Sequence, residues 1–117
     1  MVAKIRYFAK YRNMNQIFKA LSDPTRRRVL QLLHERSMTA GELTDRFDRS
    51  PSTMSRHFAL LREAGLIEAD KQGTTITYRL RLSVLQDALL GFAEVFDIGV
   101  EPDSAAAAAR EGVRHAT

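Results

Sequence analysis

The sequence predicts a mainly α-helical domain that carries one small β-hairpin. Two observations support this fold class. Four segments between Met14 and Gly65 place apolar residues at helical spacing, and capping residues precede most of them. The periodicity then changes, and two runs rich in β-branched and aromatic residues flank a glycine, as in a hairpin.

Composition limits the class of protein before any motif is considered. The 117 residues are enough for one domain with a real core, and the net charge of +4 favours an anionic partner. The absence of cysteine excludes disulfides, thiolate metal sites and a thiol nucleophile. There is no apolar run as long as a membrane span, and the N-terminus lacks the apolar segment of a signal peptide, so we expect a cytoplasmic protein.

The domain organisation is predicted in three parts: a basic extension over residues 1–13, a folded domain over 14–97 and an Ala-rich flexible tail over 98–117. Two interpretations of the extension are open. It is either a basic helical arm that lies over phosphates, or an upstream translation of a protein that starts at Met14. The tail is either a frayed helix or a disordered segment.

The first two helices are separated by Ser22-Asp23-Pro24, in which Asp23 is the predicted N-cap and Pro24 the first helical residue. The first helix starts near Met14 and the second buries an apolar stripe that includes Val29 and Leu33. The first turns of the second helix carry Arg26, Arg27 and Arg28, which oppose the helix macrodipole. They are tolerable if they meet phosphates or acidic groups, and a solvated basic face is the other interpretation.

A third helix follows a short turn at residues 37–39. Thr39-Ala40-Gly41-Glu42 is a capping box, and Leu43 and Phe47 form the predicted buried face of a helix that ends at residues 48–49.

The fourth helix begins at the N-cap Ser50 and ends at Gly65, with a buried stripe at Met54, Phe58 and Leu61. Its opposite side is polar, with small hydroxyls in the first turn followed by an arginine. This combination suits insertion into a major groove, since small side chains allow close approach and arginine binds guanine in a fork. A serine-rich surface helix without that function is the alternative. Two short helices joined by a tight turn are typical of a helix-turn-helix.

The hairpin is predicted from strands at residues 66–70 and 75–80, joined through Gly73, where positive φ is needed. A hairpin directly after the second helix of such a motif is a wing. Lys71, Gln72 and Arg79 are predicted to reach the flanking DNA backbone or minor groove, and a purely structural hairpin is the alternative.

The last helix is predicted from a second capping box, Ser83 to Gln86, to about Asp97. Its apolar residues cover more than one stripe, which is more than a small domain can bury, so it is predicted to pair with a second subunit beside the first helix. The predicted dimer-interface residues are Ile17, Phe18, Leu21, Leu85, Leu89, Phe92 and Phe96.

The assembled motifs resemble one family. Four segments are similar to the ArsR family of bacterial winged-helix repressors: Phe18–Leu30, Thr39–Leu43, Ser55–Phe58 and Leu61–Ile67. The spelling Thr-Ala-Gly-Glu-Leu and the lack of cysteine resemble its autorepressor-type branch. The resemblance covers residues 14–97. It implies a homodimeric repressor that binds palindromic operators, often in its own promoter, and releases DNA on a signal.

The resemblance also bears on metals and on base contacts. The best-known metal sensors of this family carry Cys-x-Cys in the helix before the recognition helix, where this chain offers only carboxylates. Other members bind zinc through Asp and His of their C-terminal helices, and the C-terminal helix of this chain has no histidine. His34, His57 and His115 lie on three different elements, so we predict no metal site and no cofactor. The chain departs from the family at Pro51, where a glutamine is common.

The resulting prediction is a sequence-specific transcriptional regulator that binds double-stranded DNA. The predicted DNA-binding residues are Arg49, Ser50, Ser52, Thr53, Ser55, Arg56, His57, Arg62, Lys71, Gln72 and Arg79. Among them, Arg56 is predicted to read guanine and His57 to pack beside the helix or reach a phosphate. The alternative is a winged-helix module for protein interaction or dimerisation without specific DNA binding. An enzyme is not predicted, because no nucleophile–base set, paired carboxylates or glycine-rich phosphate loop stands out.

Overall fold

The computed structural model of the protein describes residues 14–96, and within them it contains five helices and a three-stranded antiparallel sheet. The sheet order is β1-β3-β2. In chain order the elements are α1 (Met14–Leu21), α2 (Pro24–Glu35), β1 (Met38–Thr39), α3 (Ala40–Thr44), α4 (Pro51–Glu63), β2 (Ile67–Gln72), β3 (Thr75–Leu80) and α5 (Leu82–Val95). The predicted fold class is confirmed. The predictions for residues 1–13 and 98–117, and for Asp97, lie outside the described residues.

Three helix starts follow the predicted capping chemistry. The Asp23 carboxylate accepts from the Arg26 backbone N–H at 3.0 Å, and the Ser50 hydroxyl accepts from that of Thr53 at 3.2 Å. Thr39 and Glu42 each accept a hydrogen bond from the other's backbone N–H at 3.1 Å, which completes the capping box. These bonds satisfy N–H groups that have no partner within their own helix.

The start of α5 differs from the prediction, because the second capping box does not form. The helix begins at Leu82, and its N-cap Arg81 makes no side-chain cap bond. The Arg81 N–H donates to the Leu66 carbonyl at 2.8 Å, and the Arg81 carbonyl accepts from Val84. The helix therefore follows directly from the end of β3, and Ser83 already lies inside its first turn.

The region around α3 also differs from the prediction. The helix ends at Thr44 rather than at residues 48–49, since Arg46 and Phe47 donate to carbonyls three residues back. Bonds of that spacing tighten the last turn and end an α-helix. The expected turn at residues 37–39 contains strand β1, whose Met38 lies opposite Tyr78.

The hairpin is confirmed and is longer than predicted. Its register runs from Ile67 opposite Leu80 to Gln72 opposite Thr75, so only two residues connect the strands. Gly73, the first of them, has φ of +62°, a conformation that glycine adopts without steric cost.

The core lies between α1, α2, α4 and the sheet. The predicted stripe of α4 (Met54, Phe58 and Leu61) is buried in it, and the Phe58 ring packs on Tyr78 with centroids 4.9 Å apart. Since one side of α4 is held by this packing, its opposite side must face solvent.

Candidate nucleic-acid interface

The outward face of α4 carries the side chains predicted to enter a major groove. Ser52, Thr53, Ser55 and Arg56 are all exposed, whereas the apolar stripe beneath them is buried. Pro51 occupies the first helical position, where a backbone N–H has no helical partner to lose. The helix is therefore held by its buried apolar side and presents a polar side to solvent.

A cluster of three hydroxyl groups occupies the N-terminus of α4. The Ser50 hydroxyl donates to the Thr53 hydroxyl oxygen at 2.9 Å, and its oxygen lies 3.2 Å from that of Ser52. Ser50 is therefore committed to capping, while Ser52 and Thr53 present hydroxyls to solvent. A helix N-terminus has a partial positive charge and attracts phosphate oxygens.

His57 lies on the flank of α4 and faces α2. Its Nδ1 is 3.2 Å from Nη1 of Arg26 and 3.9 Å from Oδ2 of Asp23. Burial lowers the pKa of the imidazole and the Asp23 carboxylate opposes this, while the charge of Arg26, followed by those of Arg49 and Arg56, lowers the pKa further. The neutral ring accepts from Arg26, so the His57 side chain packs against the first turn of α2.

Arg26 is buried, with 8% of its surface exposed, although the sequence suggested a basic surface. Its Nε and Nη2 donate to the carbonyls of Ala20 and Lys19, each at 2.8 Å. Arg27 donates from Nη1 to the Leu21 carbonyl at 2.8 Å. These arginines thus satisfy the C-terminal carbonyls of α1, where a positive charge is favourable. The sequence signal for this capping role was the tight break after α1, because a break this short keeps the first turn of α2 close to the end of α1.

The wing residues differ in how strongly they are held. Lys71 and Gln72 are exposed on β2. Arg79, which lies opposite Glu68 in the hairpin register, donates from Nη2 to Oε2 of that carboxylate at 2.6 Å. Arg81 lies 3.5 Å from the other oxygen of Glu68. The Arg79 charge is therefore shared with a carboxylate.

Besides Arg79, four cations predicted to bind DNA are exposed: Arg49, Arg56, Arg62 and Lys71. Within residues 14–96 none of them forms an ion pair. Exposed cations without a carboxylate partner can neutralise phosphates without first breaking a protein contact.

A separate apolar face contains most of the predicted interface residues. Phe18 and Phe92 stack edge to face with centroids 4.8 Å apart, and Phe92 contacts Phe96 at 4.7 Å. Leu89 and Phe96 leave 53% and 63% of their surface exposed. Leu21 and Leu85 are half-buried at the margin of this face. Ile17, by contrast, is fully buried inside the protomer, so it supports the face from below.

No group of three His, Asp or Glu residues within 14–96 lies close enough together to hold a metal ion. None of the helices formed by these residues has the length and apolar character needed to cross a membrane.

Comparison with known proteins gives consistent matches. A family model described as a helix-turn-helix domain matches residues 21–69. The chain is similar to the transcriptional repressor SdpR of Bacillus subtilis, with 43% identity over 76 residues that cover 65% of this chain and 84% of that protein.

Solved structures give the same result. The chain is similar to an ArsR family transcriptional regulator at 33% identity and a TM-score of 0.66, covering 72% of this chain and 87% of that one. It is also similar to an ArsR-like transcriptional regulator from Rhodococcus sp. RHA1, at 30% identity and a TM-score of 0.64, over 88% of this chain and 94% of that one.

Proposed function

This chain belongs to the ArsR family of winged helix-turn-helix transcriptional regulators, and we propose that it is a homodimeric repressor of an inverted-repeat operator. DNA binding and transcriptional regulation follow from the family. Beyond these family properties, we propose the dimer, the symmetry of the operator and the residues that make the contacts. Because its partner is chromosomal DNA, we expect it to act in the cytoplasm.

The observation that carries this proposal is the two-sided character of α4. Hydroxyls and Arg56 cover its exposed side, and its other side is fixed in the core. Ser52, Thr53 and Ser55 contact bases or phosphates at the entry of the helix into the groove. Arg56, one turn further along, forms a bidentate contact with guanine.

The surrounding cations supply affinity that does not depend on sequence. Arg49 and Arg62 flank the helix, and Lys71 with Gln72 lies on the wing, where the DNA backbone continues past the groove. Arg79 contributes only after its contact with Glu68 is exchanged for a phosphate.

Dimerisation is supported by the apolar face on α1 and α5. Leu89 and Phe96 are large apolar side chains with more than half of their surface exposed, and Phe18 and Phe92 continue the same surface. An apolar surface of this kind on a small domain is typical of a subunit interface. Isologous contact there brings two α4 helices to one face of the DNA, about one helical turn apart.

Repression follows from this geometry. A dimer bound across a promoter blocks polymerase, and the resemblance to an autorepressor branch supports an operator upstream of the protein's own gene. The relative from Bacillus subtilis is itself described as a transcriptional repressor.

Selection of binding sites from a random duplex library tests the proposal. We expect enrichment of an inverted repeat whose half-sites are about 10–11 base pairs apart, centre to centre. Enrichment of a single half-site or a direct repeat would exclude the symmetric dimer, and no enrichment would exclude sequence-specific binding.

A further inference from the structure

A groove of about 320 Å³ lies where α1 ends, beside α2 and under the start of α5. The geometry points to a binding site for an effector, a small organic anion with an apolar body. The volume is at the lower end of the range for small-molecule sites, about 300–1,000 Å³.

One wall of the groove is apolar and comes from several elements. It includes Leu21 at the end of α1 and Leu82 and Leu85 in the first turn of α5. Leu82 keeps 38% of its surface exposed although it lines the groove. A hydrocarbon chain or an aromatic ring placed here would remove that surface from water, which is favourable.

The three polar residues of the described lining belong to one helix. Arg27, Gln31 and His34 line the groove from α2 at positions i, i+4 and i+7, which lie on one face of a helix. Among the described residues that line the groove there is a permanent cation and no carboxylate. The groove therefore combines apolar packing with a positive edge, which is complementary to an amphipathic anion and not to a cation or a sugar.

The hydrogen-bonding groups on this edge are available as donors. Within the described residues, the Arg27 guanidinium makes one hydrogen bond, in which Nη1 donates to the Leu21 carbonyl at 2.8 Å. Nε and Nη2 can then bind a carboxylate in a fork. The Gln31 amide oxygen accepts from Arg28 at 3.2 Å, and this bond does not use the amide N–H groups of Gln31. A carboxylate is the ligand group that this set of donors recognises.

The position of the groove couples it to the rest of the molecule. It touches Leu21 and Leu85, at the margin of the proposed dimer face, and Arg27 is the neighbour of Arg26, which contacts His57 on α4. A ligand carboxylate bound by Nε and Nη2 would compete with the Leu21 carbonyl for the Arg27 charge and would thereby loosen the end of α1. Regulation of DNA affinity through this groove rests on the proposed function, whereas binding of the anion does not.

Titration of the full chain with octanoate tests the site. Binding would be followed through backbone amide shifts, with octanol as the neutral probe of the same chain length. We expect saturable shifts at Arg27, Gln31 and Leu82, and binding of octanol about tenfold weaker or more. The inference is wrong if octanol binds equally well, if the shifts centre on Phe92 and Phe96, or if the dimer binds no octanoate because the partner covers the groove.

Variants separate the site from general apolar binding. Arg27→Gln should weaken octanoate binding about tenfold or more, and Arg46→Gln, which removes the same charge from another exposed position, should not. Leu82→Gln provides an independent test of the apolar wall and should also weaken binding. Equal affinity in all three variants would overturn the inference.

A second titration tests the effector role. Saturating octanoate should change operator affinity by about fivefold or more in the wild type and not in Arg27→Gln. An unchanged wild-type affinity would overturn the effector role. If the chain bound no operator at all, the proposed function would fail, and the octanoate titration, which contains no DNA, would still decide the anion site.

Discussion

Nη1 of Arg26 lies 3.2 Å from Nδ1 of His57, across 31 positions of sequence. The same guanidinium donates to the carbonyls of Lys19 and Ala20 at the end of α1. One buried cation therefore joins a helix of the proposed dimer face to the helix proposed to read DNA. The arginine acts here as a structural connector and not as a phosphate ligand.

Replacing Arg26 should destabilise the fold. Arg26→Gln removes charged donors from two backbone carbonyls and from the imidazole, and we expect a loss of about 2–4 kcal/mol in the free energy of unfolding. Urea denaturation followed by circular dichroism measures it. Arg27→Gln, which removes one bond at an exposed position, should cost about 1 kcal/mol or less. Equal losses in both variants would contradict the connector role.

Stability should decrease as the pH falls through the titration of His57. Its pKa lies below the ordinary value of 6.5, mainly because burial disfavours the charged ring. Below pH 6.5 the unfolded chain therefore binds more protons than the folded chain. The stabilisation that comes from the neutral His57 is fully present above pH 6.5, and it is lost as the pH falls through the lower pKa of the folded state. Protonation also removes the acceptor for Arg26.

Denaturation at a series of pH values between about 7.5 and 5 measures this loss of stability. The series spans the ordinary histidine pKa of about 6.5. His57→Gln keeps an acceptor for Arg26 but cannot be protonated, so its stability should depend less on pH than that of the wild type. His34→Gln, at an exposed position, should keep the wild-type dependence. A His57→Gln protein with the full wild-type slope would show that another group is responsible.

Arg56 should determine one base position. Arg56→Ala removes the proposed bidentate contact, so operator affinity should fall by about 1–3 kcal/mol and discrimination at that position should relax. Anisotropy titrations with operators changed at single base pairs measure both quantities. Unchanged discrimination would assign the contact to another residue.

The wing should respond in opposite directions to two substitutions. Lys71→Gln removes a cation, so all duplexes should bind more weakly and the salt slope should fall by about one. Glu68→Gln releases Arg79 from its carboxylate, so affinity for all duplexes should rise and the slope should steepen by up to about one. Binding titrations over a range of salt concentrations measure the slopes. If Glu68→Gln leaves affinity unchanged, Arg79 does not reach the DNA.

The exposed face of α5 should control the oligomeric state. Leu89→Asp places a charge on this face at a side chain with little role in the protomer core, so it should weaken the dimer about tenfold or more. Light scattering after size exclusion measures the mass. Ser83→Asp adds the same charge to an exposed position in the first turn of α5 and serves as the control. A Leu89→Asp protein that remains dimeric would place the interface elsewhere.

Features encoded by residues close in sequence could be predicted. The caps at Asp23, Thr39 and Ser50 involve backbone groups three residues away, so the local pattern is sufficient. The buried stripe of α4 follows in the same way from helical spacing. The stripe also indicated which face of α4 is exposed, and with it the proposed groove-reading residues.

Features that depend on distant partners could not be predicted. Strand β1 is two residues long and exists because Met38 lies opposite Tyr78, which no local pattern around residue 38 reveals. The contact of Arg26 with His57 needs both the turn after α1 and the packing of α4. The false capping box at Ser83 shows the converse, because the end of β3 sets where α5 begins.

The most direct test of the account is a fluorescence anisotropy titration of the 117-residue chain. Its own promoter would be compared with a scrambled duplex at two salt concentrations, with and without zinc and a chelator. We expect tight, salt-sensitive preference for the promoter that zinc does not alter. Equally weak binding to both duplexes would contradict a role at this promoter, and a zinc-dependent change would contradict the prediction of no metal site.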